Sequence, residues 1–227
     1  MLIIKDKYLY VHFPKTGGYF VRDTLGKIGL CRDVETIHSS IKEVYGTKKC
    51  VNLKTVTTIR NPWAWYVSLW AFRNDYKKDH INNSSIHHPT KFWNHWSGFD
   101  VFIRDVMNQS KNQKYTDSDI ITYSGEYKFL GVRYMTNKNV GLYTTYWKDL
   151  CFFDYKDCID KYMLTENLNQ NMIETFELSK SESDLVMGEK RANVSAHDDY
   201  RNYYTDETRK MVETKDREII AKFRYEF

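Results

Sequence analysis

The stretch Tyr8–Phe20, YLYVHFPKTGGYF, constrains the fold more than any other part of this 227-residue chain. Its apolar first half, Tyr8–Phe13, predicts a buried strand, and Tyr19–Ile28 has the pattern of a helix. Between them lies Pro14–Gly18, a short loop with two adjacent glycines. A strand, a glycine-bearing turn and a helix direct backbone N–H groups and a helix N-terminus towards one point. The stretch therefore predicts a phosphate-binding loop, to which Lys15 adds a positive charge.

This loop differs from the phosphate loop of magnesium-dependent nucleotide enzymes. A Walker A motif has the pattern G-x-x-x-x-G-K followed by Ser or Thr, whose hydroxyl binds magnesium. Here Lys15 precedes Gly17 and Gly18, and the chain contains no Gly-Lys-Ser or Gly-Lys-Thr. The predicted ligand is a phosphate group, but a magnesium nucleoside triphosphate is disfavoured.

Composition sets the broad class of the protein. The length predicts one domain with a substantial core. The 34 Lys and Arg against 30 Asp and Glu give a net charge of +4, too small a bias to suggest a nucleic-acid partner. The chain has no apolar run long enough to insert stably in a membrane and no signal-peptide pattern. Its four cysteines form no metal-ligand motif, so we expect reduced thiols and a cytoplasmic protein.

Strands and helices are predicted to alternate along the chain. This alternation predicts an α/β, three-layer, single-domain fold with a central, mainly parallel sheet and the phosphate-binding loop after the first strand. Lys77–Ser97 is polar and lacks periodicity, so we expect an inserted loop on the acceptor side. The other strands are predicted at Lys54–Ile59 and Ile159–Leu164. The other helices are predicted at Ser39–Tyr45, Trp63–Tyr76, Phe99–Met107, Val140–Leu150, after Leu168 to about Leu178, and Asp206–Arg224, with Asn108–Gly125 and Ser179–Asp199 as connections.

A second basic group follows the strand Lys54–Ile59. Arg60 stands at its carboxyl end, Pro62 suits the first turn of a helix, and Ser68 lies eight residues beyond Arg60. Ligands of open α/β sheets bind outside the carboxyl ends of the strands. Arg60 and Ser68 therefore predict a second phosphate site, although an ion pair for Arg60 and a backbone hydrogen bond for Ser68 are alternatives.

These motifs resemble those of sulfotransferases that use 3′-phosphoadenosine 5′-phosphosulfate (PAPS), of the carbohydrate and heparan-sulfate type. HFPKTGG, His12–Gly18, is similar to the family's 5′-phosphosulfate loop, and RNPWAWYVS, Arg60–Ser68, is similar to its 3′-phosphate element. Softer matches follow in the family's order. They are His38-Ser39-Ser40, Glu166-Asn167-Leu168, Asn193–Thr208 and the final FRYEF.

The resemblance implies a donor site and a reaction. The implied reaction moves a sulfuryl group from PAPS to a hydroxyl, with a carbohydrate as the favoured acceptor, and leaves adenosine 3′,5′-bisphosphate. No metal is implied. The residues implied or expected to contact PAPS are Lys15, Thr16, Gly17, Gly18, Tyr19, Phe20, Arg60, Ser68, Lys190 and Arg191. Tyr19-Phe20 departs from the Thr or Ser that the family commonly has there, so only the backbone N–H groups of that pair are expected to act.

Two catalytic residues are implied. Lys15 stabilises charge on the leaving 5′-phosphate. His38 accepts the proton of the acceptor, because its unperturbed pKa of ~6.5 leaves it mostly neutral near pH 7. Glu35 and Glu43 are alternative bases. Two other functions stay open: a kinase with an atypical phosphate loop, and a nucleotide- or glycan-binding module without catalysis.

Overall fold

The computed structural model describes residues 1–34, 39–46, 52–80, 96–108, 139–190 and 195–227. The chain divides into two compact units. The first consists of residues 1–60, 115–132 and 146–193, and the second of residues 61–114, 133–145 and 194–227. This division does not test the prediction of a single domain, which stays a prediction.

The first unit contains a five-stranded sheet with the order β3-β1-β2-β4-β7. Its strands are β1 (Leu2–Ile4), β2 (Tyr8–Val11), β3 (Cys31–Asp33), β4 (Lys54–Ile59) and β7 (Lys161–Leu164). β2, β4 and β7 are parallel to one another, whereas β1 is antiparallel to both β2 and β3. All strands except β1 therefore point in one direction, and the prediction of a mainly parallel sheet is confirmed.

The helices of the first unit are α1 (Gly18–Lys27), α2 (Ile41–Gly46), α6 (Leu168–Thr175) and α7 (Lys180–Gly188). Of these, α1, α6 and α7 cover one face of the sheet. Side chains of α1, α6 and α7 pack with alternate residues of the strands in one apolar cluster. The largest members of that cluster include Tyr8, Tyr10, Phe20 and Phe176. A two-stranded hairpin, β5 (Phe152–Phe153) and β6 (Lys156–Asp157), completes the unit.

The second unit is helical in its described residues. Its helices are α3 (Pro62–His80), α4 (Phe99–Asn108), α8 (Asp206–Lys215) and α9 (Arg217–Phe223), and α5 (Leu142–Cys151) begins in this unit and ends in the first. None of the helices among the described residues combines the length and the apolar character that a membrane crossing requires.

The structure corrects several predicted elements. β1 and β3 were not expected, so the phosphate-binding loop follows the second strand of the chain. The segment predicted as a mixed loop, Ser179–Asp199, contains α7, because Ser179 and Glu182 form a capping box at its N-terminus. Residues 77–80 belong to α3. The rest of the predicted inserted loop up to residue 95, like residues 109–125, lies outside the described residues.

The predicted C-terminal helix, Asp206–Arg224, is divided at Asp216. That residue has non-helical dihedral angles and is fully buried. Its carboxylate accepts hydrogen bonds from the hydroxyl of Tyr66 at 2.7 Å and from the backbone N–H of Thr144 at 2.9 Å. Thr144 lies in the first turn of α5, where a carboxylate also interacts favourably with the helix dipole. Asp216 therefore joins α3 and the first turn of α5 to the junction of α8 and α9.

Burial governs the protonation of the Asp216 carboxyl. Desolvation raises the pKa of Asp216 to about 6, although the Thr144 N–H and the Tyr66 hydroxyl oppose the increase. Burial also raises the pKa of Tyr66 well above its ordinary value, so that its hydroxyl keeps the proton it donates. The neighbouring Lys215 has a pKa lowered by its own partial burial.

We expect Asp216 to make the protein less stable as the pH rises from about 4 to 7. The carboxyl binds its proton more tightly in the folded state, so its contribution to the free energy of unfolding is complete below the unfolded pKa. As the pH rises through the pKa of the folded state, this contribution is lost and the free energy of unfolding falls by ~3 kcal/mol in total. Urea denaturation at several pH values should show this fall in the wild type relative to Asp216→Asn. Asp184→Asn, which changes an exposed aspartate, is the control; parallel pH profiles for the wild type and Asp216→Asn would contradict the prediction.

Candidate functional site

The loop between β2 and α1 has a defined backbone conformation. Lys15 and Gly17 both have positive φ, 61° and 87°. The hydroxyl of Thr16 donates to the Phe13 carbonyl at 2.8 Å, and the Val21 N–H donates to the Gly17 carbonyl at 3.1 Å. The loop thus turns the chain directly from the end of the strand into the first turn of the helix.

The N-terminus of α1 has the features of an anion site. The first N–H groups of any α-helix have no partner within the helix. Gly17 is the N-cap and supplies no side-chain hydrogen bond, and the first turn contains no acidic residue. The positive end of the helix dipole and the half-buried Lys15 therefore lie at the same end of α1.

Close packing explains the two glycines. A Cβ on Gly18 would lie 2.0 Å from the ring of His12, and a Cβ on Gly17 would lie 2.6 Å from the side chain of Leu168. His12 is buried. The loop backbone is therefore held between the side chain that directly follows β2 and a side chain of α6.

Three strand ends meet at the loop. The hydroxyl of Thr165, directly after β7, lies 2.9 Å from the Thr16 carbonyl and 2.9 Å from the Ile59 carbonyl at the end of β4. The Nη1 group of Arg60 donates to the Lys15 carbonyl at 3.3 Å. The structure thus brings together Lys15 and Arg60, which the sequence predicted as the two halves of one site.

Other predicted residues have different surroundings. The Phe20 side chain is 2% exposed in the core, so it offers a ligand only its backbone N–H. Tyr19 is 38% exposed, and its ring lies edge-on to the ring of His12 at 5.3 Å. Ser68 is buried in α3 and belongs to the second unit. Trp63 and Trp65 are buried, as expected for packing residues.

The structure places Lys190 at the other end of α1. Lys190 is exposed and follows Glu189, whose carboxylate pairs with Lys27 in the last turn of α1 at 2.7 Å. Arg191 and His38 lie outside the described residues, as does Glu35. The roles predicted for these three residues stay predictions.

Glu43, one of the alternative bases, has a structural contact. Its carboxylate accepts the Ser40 N–H at 2.8 Å, and the Ser40 hydroxyl accepts the Glu43 N–H at 3.4 Å. This reciprocal pair is a capping box at the start of α2. A carboxylate engaged in this way is a weaker candidate for proton transfer than His38.

Sequence analysis missed Thr165. The sequence feature that could have identified it is a β-branched hydroxyl residue immediately after a predicted strand, at the sheet edge where ligands bind. Among the described His, Cys, Asp and Glu side chains, no group of three or more could hold a metal ion. The expectation of chemistry without a metal stays a prediction.

Comparison with known proteins gives one structural likeness. No protein-family model matches the chain, and no curated protein matches its sequence. The structure is similar to the crystal structure of mouse sulfotransferase SULT7A1 complexed with PAP, with a TM-score of 0.50 and 12% sequence identity. The likeness covers 97% of this chain and 85% of that chain.

The chain has a sulfotransferase-like fold. The sequence had predicted this fold, and the likeness confirms it. At this identity the likeness does not extend to the carbohydrate and heparan-sulfate type or to the acceptor.

The close packing of Gly18 leads to a prediction with a matched control on the same helix. Gly18→Ala should destabilise the protein by ~1–3 kcal/mol, because the new Cβ displaces the buried ring of His12. Gly26→Ala should be neutral or stabilising by up to ~1 kcal/mol, because its Cβ would meet only Cys31 Sγ at 3.9 Å and alanine favours a helix. Urea denaturation measures both variants. Equal free energies of unfolding for the two variants would show that the His12 contact does not constrain the loop.

Proposed function

We propose that this protein is a PAPS-dependent sulfotransferase that transfers a sulfuryl group to an acceptor hydroxyl, with a carbohydrate as the favoured acceptor. The observation that carries the proposal is the joining of Lys15, Arg60 and the N-terminus of α1 at the carboxyl ends of β2 and β4. The sulfotransferase-like fold supports it, and so does the nucleotide of the neighbour, since PAP is the adenosine 3′,5′-bisphosphate that PAPS leaves behind.

The loop binds the 5′ side of the donor in this proposal. The backbone N–H groups of residues 16–20 and the dipole of α1 hold the 5′-phosphate. Lys15 provides a charged donor next to it, as a lysine does in other phosphate loops. No contact from a Tyr19 or Phe20 side chain is required, which fits the burial of Phe20.

Arg60 binds the 3′-phosphate. Its Nη1 group donates to the Lys15 carbonyl, which places the guanidinium beside the loop, and the planar fork of this group suits a phosphate. Ser68 donates its hydroxyl to the same phosphate, and Arg191 closes over the nucleotide, whereas Lys190 lies beside the last turn of α1 and has no part in this site. Two phosphate sites of this kind distinguish a 3′,5′-bisphosphate from a simple 5′-nucleotide.

The transfer follows an in-line path. The acceptor oxygen forms a bond to sulfur while the bond between sulfur and the bridging oxygen breaks, and the electron pair of that bond stays on the 5′-phosphate. Lys15 stabilises the negative charge that develops there. The acceptor proton passes to His38, because a histidine with the unperturbed pKa of ~6.5 is mostly neutral near pH 7. Near-native turnover by His38→Ala would place the base elsewhere, with Glu35 as the next candidate.

Transfer of sulfur-35 from labelled PAPS to a panel of glycans tests the proposal as a whole. Labelled glycan together with released adenosine 3′,5′-bisphosphate is the expected result. Label on a lipid, a tyrosine peptide or a small metabolite would change the acceptor class but not the reaction. Nucleotide binding without transfer to any acceptor would favour the binding module instead.

A kinase is the less favoured alternative. A kinase of the Walker type needs a Ser or Thr hydroxyl that is directed to magnesium. The Thr16 side chain is fully buried, and its hydroxyl donates to the Phe13 carbonyl. Magnesium-dependent ATP hydrolysis by the purified protein would reverse this preference.

We expect tighter binding of adenosine 3′,5′-bisphosphate than of 5′-AMP. A charged phosphate contact of roughly 1.5–3 kcal/mol corresponds to a preference of about 10- to 100-fold. Isothermal titration calorimetry should show that Arg60→Ala loses this preference but retains 5′-AMP binding. Arg217→Ala, an exposed arginine in α9, should keep it. Equal affinity of the wild type for both nucleotides would remove Arg60 from the proposed role.

Lys15→Met should reduce kcat much more than it weakens binding of the product nucleotide. The lysine charge is needed most when the leaving oxygen becomes negative, so a loss on the order of 10²–10³ in kcat is expected. Methionine keeps the length of the aliphatic stem. Lys7→Met, a change to a lysine that is 64% exposed, should leave kcat unchanged. A reduction confined to nucleotide affinity would show that Lys15 binds the donor without stabilising the transition state.

A further inference from the structure

The hairpin of the first unit places two cysteines opposite each other. β5 and β6 pair Phe152 with Asp157 and Phe153 with Lys156. Asp154 and Tyr155 form the two-residue turn, with φ of 49° and 61°. The next pair outward in this register is Cys151 and Cys158, and the Cys158 N–H donates to the Cys151 carbonyl at 2.9 Å.

This backbone pairing fits the dimensions of a disulfide. Hydrogen-bonded residues of an antiparallel pair have Cα atoms about 5.5 Å apart. Disulfides join residues whose Cα atoms are about 4.4–6.8 Å apart. The Cα spacing expected for this pair therefore lies within the disulfide range, and a bridge requires rotation of both side chains and a small approach of the two Cβ atoms. The Cys158 thiol donates a hydrogen bond to the Lys156 carbonyl at 3.4 Å. Rotation of the Cys158 side chain breaks this bond, which is weak because a thiol is a weak donor.

The two thiols differ in accessibility. Neither is in a disulfide; Cys151 is fully buried and Cys158 is partly exposed. Cys158 is thus accessible to a disulfide in solution, whereas Cys151 is sheltered from solvent but next to Cys158. This arrangement of an accessible cysteine and a neighbouring resolving cysteine is typical of reversible thiol oxidation.

We propose that Cys151 and Cys158 are a reversible dithiol–disulfide pair, oxidised by a low-molecular-weight disulfide such as glutathione disulfide. The Cys158 thiolate attacks one sulfur of glutathione disulfide, forms a mixed disulfide and releases the first glutathione thiolate. The Cys151 thiolate then attacks the Cys158 sulfur and releases the second. The cysteine pair loses two electrons and two protons, and two molecules of reduced glutathione carry both away.

Oxidation closes a short covalent ring at a defined place in the fold. The ring joins the C-terminus of α5 to the segment that leads into β7. Hydrogen bonds already link the same parts: the Tyr162 hydroxyl donates to the Asp157 carboxylate at 2.8 Å and accepts from Trp147 Nε1 at 2.8 Å. The disulfide adds a covalent constraint to this network, so the oxidised protein should unfold at a higher temperature, by about 5 °C.

The test uses the full-length protein in the Cys31→Ser/Cys50→Ser background, which retains only the proposed pair. The protein is equilibrated in buffers of increasing glutathione disulfide, quenched in acid and alkylated. Mass spectrometry should show a disulfide between Cys151 and Cys158 that forms in one two-electron step and is reversed by reduced glutathione. Removal of Cys151 by Cys151→Ser should stop the reaction at the glutathione adduct of Cys158.

Two controls separate the folded geometry from general thiol reactivity. In the otherwise wild-type protein, Cys31 should remain alkylatable throughout the range in which the pair is oxidised. The chain denatured in urea should require a higher proportion of glutathione disulfide, because it lacks the register of the hairpin. A pair that stays reduced under conditions that oxidise the denatured chain would overturn the proposal, as would glutathione adducts on both cysteines without a disulfide.

Discussion

The hydroxyl of Thr165 is the contact on which the candidate site depends. It lies 2.9 Å from the carbonyl of Thr16 in the loop and 2.9 Å from that of Ile59 at the end of β4. One side chain from the end of β7 thereby fixes the loop against the neighbouring strand. The left-handed conformation of Lys15 costs of order 1 kcal/mol, and such a conformation persists only when the surroundings determine it. Contacts within the protein therefore determine the loop geometry, as electrostatic stabilisation without reorganisation requires.

Sequence patterns predicted the helices and strands whose formation depends on their own residues and on nearby residues of the chain. β4 has the predicted bounds because KTVTTI is a run of β-branched residues between polar ends. β1 and β3 were missed because each has only three residues and gains its hydrogen bonds from neighbours in the sheet. α7 has little apolar periodicity, and its start is marked only by the Ser179–Glu182 capping box, a signal that could have been read.

The same distinction applies to the candidate site. The positions of Lys15, Gly17 and Gly18 follow from a motif within one stretch of chain. Thr165 reaches the loop from 149 residues away, so its role depends on β7 being the neighbour of β4. The sequence could predict that Arg60 and Lys15 lie near each other, because the carboxyl ends of parallel strands lie at one edge of the sheet. The hydrogen bond from the Arg60 guanidinium to the Lys15 carbonyl could be identified only from the three-dimensional structure.

Tyr19 and Phe20 stand where the resemblance led us to expect Thr or Ser, and both affect the loop. Phe20 packs in the apolar cluster beside Val21 and Leu25, so its side chain stabilises the attachment of α1 to the sheet. Tyr19 lies against His12, and the ring of His12 lies against Gly18. Both side chains therefore constrain the backbone of the loop. In the proposed function a phosphate contacts backbone N–H groups, the helix dipole, Lys15 and Arg60, and the packing of Tyr19 and Phe20 holds the loop backbone for these contacts.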